Sequence, residues 1–127
     1  MTFFQILLLL VVLLMLVSII KRFLTTRGLN NYEPYEVKDK IKDSLNVILL
    51  DVRTIAERKS QSIKGSFHIP LHELERRADE LKRFRDKEII CYCKSGSRSV
   101  VAAGKLKKLG FNSANMKGGI TKWNLNR

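Results

Sequence analysis

The 127-residue chain is poor in the side chains from which metal centres and base-assisted sites are built: it has two histidines and two cysteines. No cluster of ligand-type residues falls at metal-site spacing, so neither a metal nor an organic cofactor is implied. Nothing in the sequence pairs His68 or His72 with a cysteine as a catalytic base. No internal repeat and no low-complexity stretch is present. Acidic residues are scarce and lopsided, twelve against 24 Lys and Arg, and all twelve follow Arg27. The resulting net charge of +12 comes without a nucleic-acid-binding motif or interleaved aromatics, so no nucleic-acid partner is expected. The N-terminus lacks a charged n-region and a small-x-small site, the marks of a cleaved signal peptide.

What is present begins with residues 3–20, an apolar run interrupted only by Gln5 and Ser18. As a helix it spans about 27 Å at roughly 1.5 Å per residue, close to the thickness of a bilayer core. Apolar on every face, it would need a large protein core to bury it otherwise. The expected organisation is a transmembrane anchor over 1–24, a polar linker over 25–32 and one domain over 33–127. Lys21, Arg22 and Arg27 follow the run, so the positive-inside bias makes this a single-pass cell-membrane protein with a cytoplasmic domain, where cysteines stay reduced. Past Arg27 the balance is 21 Lys and Arg minus 12 acids, or +9. Each Lys or Arg held near an anionic leaflet gains roughly 1 kcal/mol, which makes anionic lipid a candidate partner; solvated helix faces with surplus Lys are the plain alternative.

Beyond the linker, apolar runs alternate with helical spacing. Pro34 opens a short helix to about Lys42, and a strand follows over 47–52. A loop with Gly65, a short strand before Pro70 and an amphipathic helix over 71–81 come next, the helix with Leu74, Ala78 and Leu81 on one face. A strand to Tyr92, a loop, a helix to Leu109, a short strand near 113–116 and a final helix from Ile120 complete an α/β layout with a mostly parallel sheet. Cys93-Lys94-Ser95-Gly96-Ser97-Arg98 is the loop between the strand ending at Tyr92 and the helix after it. At such a junction consecutive backbone N–H groups and the positive end of the helix dipole can face the cysteine, while Lys94 and Arg98 add charge; all favour thiolate over thiol. Cys91 shares a face with Cys93 but sits in an apolar run, where core packing is the expected role and a resolving thiol the alternative.

Four segments resemble the rhodanese (sulfurtransferase) family in the family's order, over residues 47–125. They are Val47-Ile48-Leu49-Leu50-Asp51-Val52-Arg53, Ile63-Lys64-Gly65-Ser66-Phe67-His68-Ile69-Pro70, the Cys93 loop, and Gly118-Gly119 with Trp123. Ser62 before Ile63 and Ser66 depart from the family's usual His and Ala, and bear only on packing before Pro70. The resemblance implies a three-layer α/β fold with a mostly parallel sheet flanked by helices, and a Cys93 thiolate that accepts sulfane sulfur from thiosulfate or a persulfide. A thiol or cyanide would then take the sulfur from a Cys93 persulfide. Lys94, Ser95, Gly96, Ser97 and Arg98 would bind the anion, with Arg98 organising the loop and stabilising the charge, and Asp51 and Arg53 would support the site. Two alternatives stay open. One is a phosphatase or arsenate reductase of the same fold, against which the four residues between Cys93 and Arg98 speak, since those phosphatases carry one more. The other is a non-catalytic, membrane-tethered binding module.

Overall fold

A computed structural model describes residues 1–43 and 45–125; positions 126 and 127 of the expected domain lie outside the described residues. Among the described residues five strands form one sheet: β1 (Asn30–Tyr32), β2 (Val47–Asp51), β3 (Phe67–His68), β4 (Glu88–Tyr92) and β5 (Ser113–Met116). Their order is β1-β5-β4-β2-β3, and every pairing is parallel. A parallel sheet needs crossover helices and both faces covered. The pleat of β4 makes the division: Ile89, Cys91 and Cys93 pack on one side with Leu50, Val52 and Leu106, whereas Ile90 and Tyr92 pack on the other with Leu49, Val37 and Ile120.

The helices are α1 (Phe3–Thr26), α2 (Pro34–Lys40), α3 (Ile55–Ser60), α4 (Leu74–Arg77), α5 (Ser97–Lys108) and α6 (Gly119–Leu125). Helix α1 holds 24 residues, none of them buried, with a mean hydropathy of 3.1 over its most apolar window. It is long and apolar enough to cross a membrane, a property it shares with signal sequences.

Three local features differ from the sequence reading. The stretch assigned to the linker contains β1, which pairs with β5 in register Asn30–Ala114, so the sheet begins inside it. The expected helix over 71–81 is broken into a 3-10 turn (Leu71–Glu73), the single α-turn of α4 and a second 3-10 stretch (Ala78–Phe84). Leu74, Ala78 and Leu81 are buried together all the same. Finally, α3 occupies what reads as loop; Thr54 and Glu57 form a capping box at its start, with the Glu57 N–H donating to Thr54 Oγ1 at 3.2 Å and the Thr54 N–H to Glu57 Oε1 at 3.3 Å.

Candidate active site

Cys93 follows the last residue of β4 and lies buried at the carboxyl edge of the sheet, where open α/β folds place their ligands. Gly96 sits at the N-cap of α5 with φ of 106°, a left-handed conformation that bends the chain back over the sulfur. Its N–H donates to Cys93 Sγ at 3.0 Å, and Ser99 Oγ lies 3.4 Å from the same sulfur.

The carbonyls of this loop are drawn the other way. Cys93 O accepts from the Ile120 N–H at 2.9 Å and Lys94 O from the Thr121 N–H at 3.2 Å. These donors belong to the first turn of α6, which can come this close because Gly119 has no side chain: a Cβ there would collide with Cys93 O and Lys94 O. With its carbonyls turned toward α6, the loop presents N–H groups to the sulfur.

Burial alone would push the Cys93 thiol up. Hydrogen bonds from the Ser99 hydroxyl and from the backbone N–H groups of Ser99, Gly96 and Ser95 outweigh it and hold the thiol below its ordinary value. Cys91, equally buried on the same face, has no such donors among the described residues, and burial, with Cys93 beside it, pushes its thiol well up.

Lys94, Ser95 and Ser97 are exposed around the loop, whereas Gly96 is buried beneath it. The Arg98 side chain does not reach the sulfur with a hydrogen bond. Its guanidinium makes a bidentate pair with Glu57, Nη1 to Oε1 at 2.6 Å and Nη2 to Oε2 at 2.8 Å. Its charge still lies within the field of Cys93: Arg98 is raised first by the Glu57 hydrogen bonds, and negative charge on Cys93 adds to that. A bidentate bond to Arg98 holds the Glu57 carboxyl down at about 2.

Asp51 and Arg53 stand on the opposite face of the sheet, with Tyr92. Arg53 Nε donates to Asp51 Oδ1 at 2.9 Å and Nη2 to Oδ2 at 2.7 Å, and the Tyr92 hydroxyl donates to Oδ2 at 3.0 Å. Burial opposes the Asp51 charge, and the bonds from Arg53 overcome it to leave the carboxyl below its usual range. Arg53 Nη2 also donates to Gln61 O at 2.6 Å and Nη1 to Glu57 O at 3.4 Å, tying down the C-terminal end of α3. Their support for the site is thus indirect: they hold α3, which carries Glu57, which holds Arg98. Ser66 belongs to the same network, its hydroxyl 2.9 Å from Tyr92 Oη and 2.7 Å from the Arg58 guanidinium that donates to it. The departure from Ala at this position is therefore packed and hydrogen-bonded.

The sequence reading missed Ser99 and Glu57. Ser99 carries no signal in a single sequence, being one serine among three in the loop and helix start. Glu57 does carry one, as the third residue after Thr54 in a capping box.

A family model described as a Rhodanese-like domain matches residues 33–126. A sulfurtransferase of Allochromatium vinosum is 30% identical over 95 residues, covering 74% of this chain and 87% of that protein. Bacillus subtilis YrkF, named as a candidate sulfur carrier protein, is 42% identical over 92 residues; the match covers 72% of this chain but only 48% of YrkF, about half its length. The crystal structure of a rhodanese-related protein from Thermoplasma volcanium superimposes with a TM-score of 0.70 at 32% identity, covering 76% of this chain and 92% of the other. The chain belongs to the rhodanese-like domain family.

Proposed function

We propose that this rhodanese-like protein is a membrane-anchored sulfurtransferase that carries sulfane sulfur on Cys93. The observation that carries the reading is a buried cysteine at the floor of an N–H-lined loop, its thiol held down against the effect of burial. With thiosulfate as donor, the Cys93 thiolate attacks the outer sulfur; the new S–S bond forms as the bond to the sulfonate sulfur breaks, and sulfite leaves with the electron pair. The product is a Cys93 persulfide anion held by the same N–H groups. An acceptor thiolate or cyanide then attacks the outer sulfur, leaving as persulfide or thiocyanate and restoring the Cys93 thiolate, in two half-reactions.

A groove of 310 Å³ beside the loop supports an anionic donor. Arg98, Lys105 and His72 line it against an apolar wall of Val52 and Leu71. Lys94 of the same loop is exposed.

Full-length protein in detergent, treated with thiosulfate, should gain one sulfur on the peptide spanning residues 88–94. That peptide holds both cysteines, so the gain should vanish in Cys93→Ser and persist in Cys91→Ser. A folded wild-type protein that gains no sulfur from thiosulfate or a persulfide would support the binding-module reading instead.

The anchor reading rests on the length and apolarity of α1 and on the Lys21-Arg22 pair that follows its apolar run. It places the sulfur chemistry on the cytoplasmic face. Mature protein from the membrane fraction should begin upstream of Phe3. An N-terminus downstream of Ile20 would make α1 a removed leader.

A further inference from the structure

The end of α1 is built into the domain. Gly104 of α5 lies against Thr25: a Cβ on it would stand 2.7 Å from Thr25 Cγ2 and 3.1 Å from Thr25 O. A glycine inside a helix costs about 1 kcal/mol relative to alanine, and here it lets two backbones meet. Lys107 Nζ donates to Arg27 O at 3.0 Å just beyond the crossing. Between the two helices opens a cavity of 540 Å³.

The lining of that cavity is charged on both walls. Lys21 and Arg22 come from α1, and Lys105 and Lys108 from α5. Among the described residues Glu75 is the one carboxylate on the lining, and it pairs with Lys105 at 3.1 Å. Lys21, Arg22 and Lys108 have no carboxylate partner among the described residues. Val101 and Leu109 supply apolar surface, and Ser18, the last polar break in the apolar run, closes the end toward the membrane-spanning part of α1.

We propose that this cleft binds the phosphate headgroup of an anionic glycerophospholipid, with the acyl chains lying along the exposed apolar surface of α1. The inference rests on the anchor reading above. Three lines of observation meet in it: four cations against one carboxylate, a position where the apolar run gives way to charge, and apolar lining beside the charged groups. An acidic protein segment or a free phosphate would match the cations but not the continuity with α1. Lys105 also lines the groove beside Arg98, so a bound headgroup would neighbour the approach to the active-site loop.

The test uses the full chain in a neutral detergent, with native mass spectrometry counting retained phosphatidylglycerol against phosphatidylcholine. Wild type should retain phosphatidylglycerol selectively. Lys105→Gln with Lys108→Gln should weaken that retention roughly thirty-fold, as loss of two surface cations implies. Lys59→Gln with Lys64→Gln removes the same charge from exposed positions elsewhere and should leave retention unchanged. Equal retention in both double variants, or complete competition by millimolar inorganic phosphate, overturns the lipid site while leaving the anchor intact. A mature N-terminus downstream of Ile20 overturns the anchor and the site together.

Discussion

Cys91 and Cys93 share a strand direction, a face of the sheet and complete burial, yet their thiols are driven in opposite directions. Position 91 lies inside β4, where the backbone N–H groups are committed to the ladder with β2 and β5. Position 93 lies one residue past the strand, where the N–H groups that follow are free to turn inward. Acidity here comes from the Ser99 hydroxyl and from the N–H groups that the backbone turns inward once it leaves the sheet, since burial and face are the same for both residues. The most severe way to test the contrast is to exchange each sulfur for oxygen. Cys93→Ser should abolish persulfide formation, and Cys91→Ser should keep most of it. Equal loss in two folded variants would show that the pair works as a dithiol.

The next largest effect should come from a residue that touches neither thiol. A Cβ at Gly119 would collide with Cys93 O and Lys94 O, and the residue sits at φ of 58°. Gly119→Ala should cost about 1–3 kcal/mol of stability from overpacking, with a further ~1–2 kcal/mol for the left-handed backbone. It should also rotate the loop carbonyls and erase most of the difference between the two thiols. Thermal unfolding measures the first consequence, and alkylation of Cys93 against pH in the folded fraction measures the second. A destabilised variant with an unchanged alkylation midpoint would show that α6 supports the loop without orienting it.

Much of this arrangement is legible in the chain itself. The apolar runs give the strands, and the loop between β4 and α5 is visible as a glycine-containing break between two periodicities. The two faces of β4 follow from alternation alone. What escapes is set by tertiary contact. Residues 30–32 read as linker because Asn30 and Asn31 have little strand propensity; β5 supplies their partners. The 71–81 segment has the right helical face, but its two 3-10 stretches, Leu71–Glu73 and Ala78–Phe84, leave a single α-turn between them. Arg98 could be assigned to the loop from its spacing, but its partner Glu57 lies 41 positions away and no local rule joins them.

Ser99 offers a finer way to shift the contrast. Its hydroxyl has one proton and three neighbours: Asn115 Oδ1 at 2.6 Å, Gly96 O at 3.1 Å and Cys93 Sγ at 3.4 Å. A neutral thiol can donate to Ser99 Oγ while the hydroxyl donates to Asn115, but a thiolate needs the hydroxyl proton for itself. Ser99→Ala removes that donor, so the alkylation midpoint of Cys93 should rise and its rate at pH 7 should fall about tenfold, the value of one charge-assisted hydrogen bond of ~1.5 kcal/mol. Asn115→Ala removes the competitor and should lower the midpoint. Movement of both midpoints in the same direction would show that Asn115 acts through packing.

The smallest effect is expected at the Arg98–Glu57 pair, both of whose side chains are about one-third exposed. Because the guanidinium is bonded to Glu57, Arg98→Ala should raise the Cys93 midpoint by less than Ser99→Ala does, through the loss of a nearby charge. Glu57→Gln removes the carboxylate charge while leaving that of Arg98 in place. Exposed ion pairs are worth about 0–1 kcal/mol, so stability at pH 7 should change little. The pH dependence is more telling. The Glu57 carboxyl is held at about 2 against an ordinary 4.5, so its contribution to stability is fully present above pH 4.5 and is lost as the pH falls toward 2. In Glu57→Gln that part of the acid limb should disappear, leaving unfolding temperatures of variant and wild type converging between pH 4.5 and 2. If the two curves stay parallel across that interval, Arg98 does not depend on Glu57 for its place. The Cys93 midpoint in the same variant should fall slightly, because the carboxylate offsets the Arg98 charge felt by the sulfur; a midpoint that does not move would show that the pair exerts no net field on the thiolate.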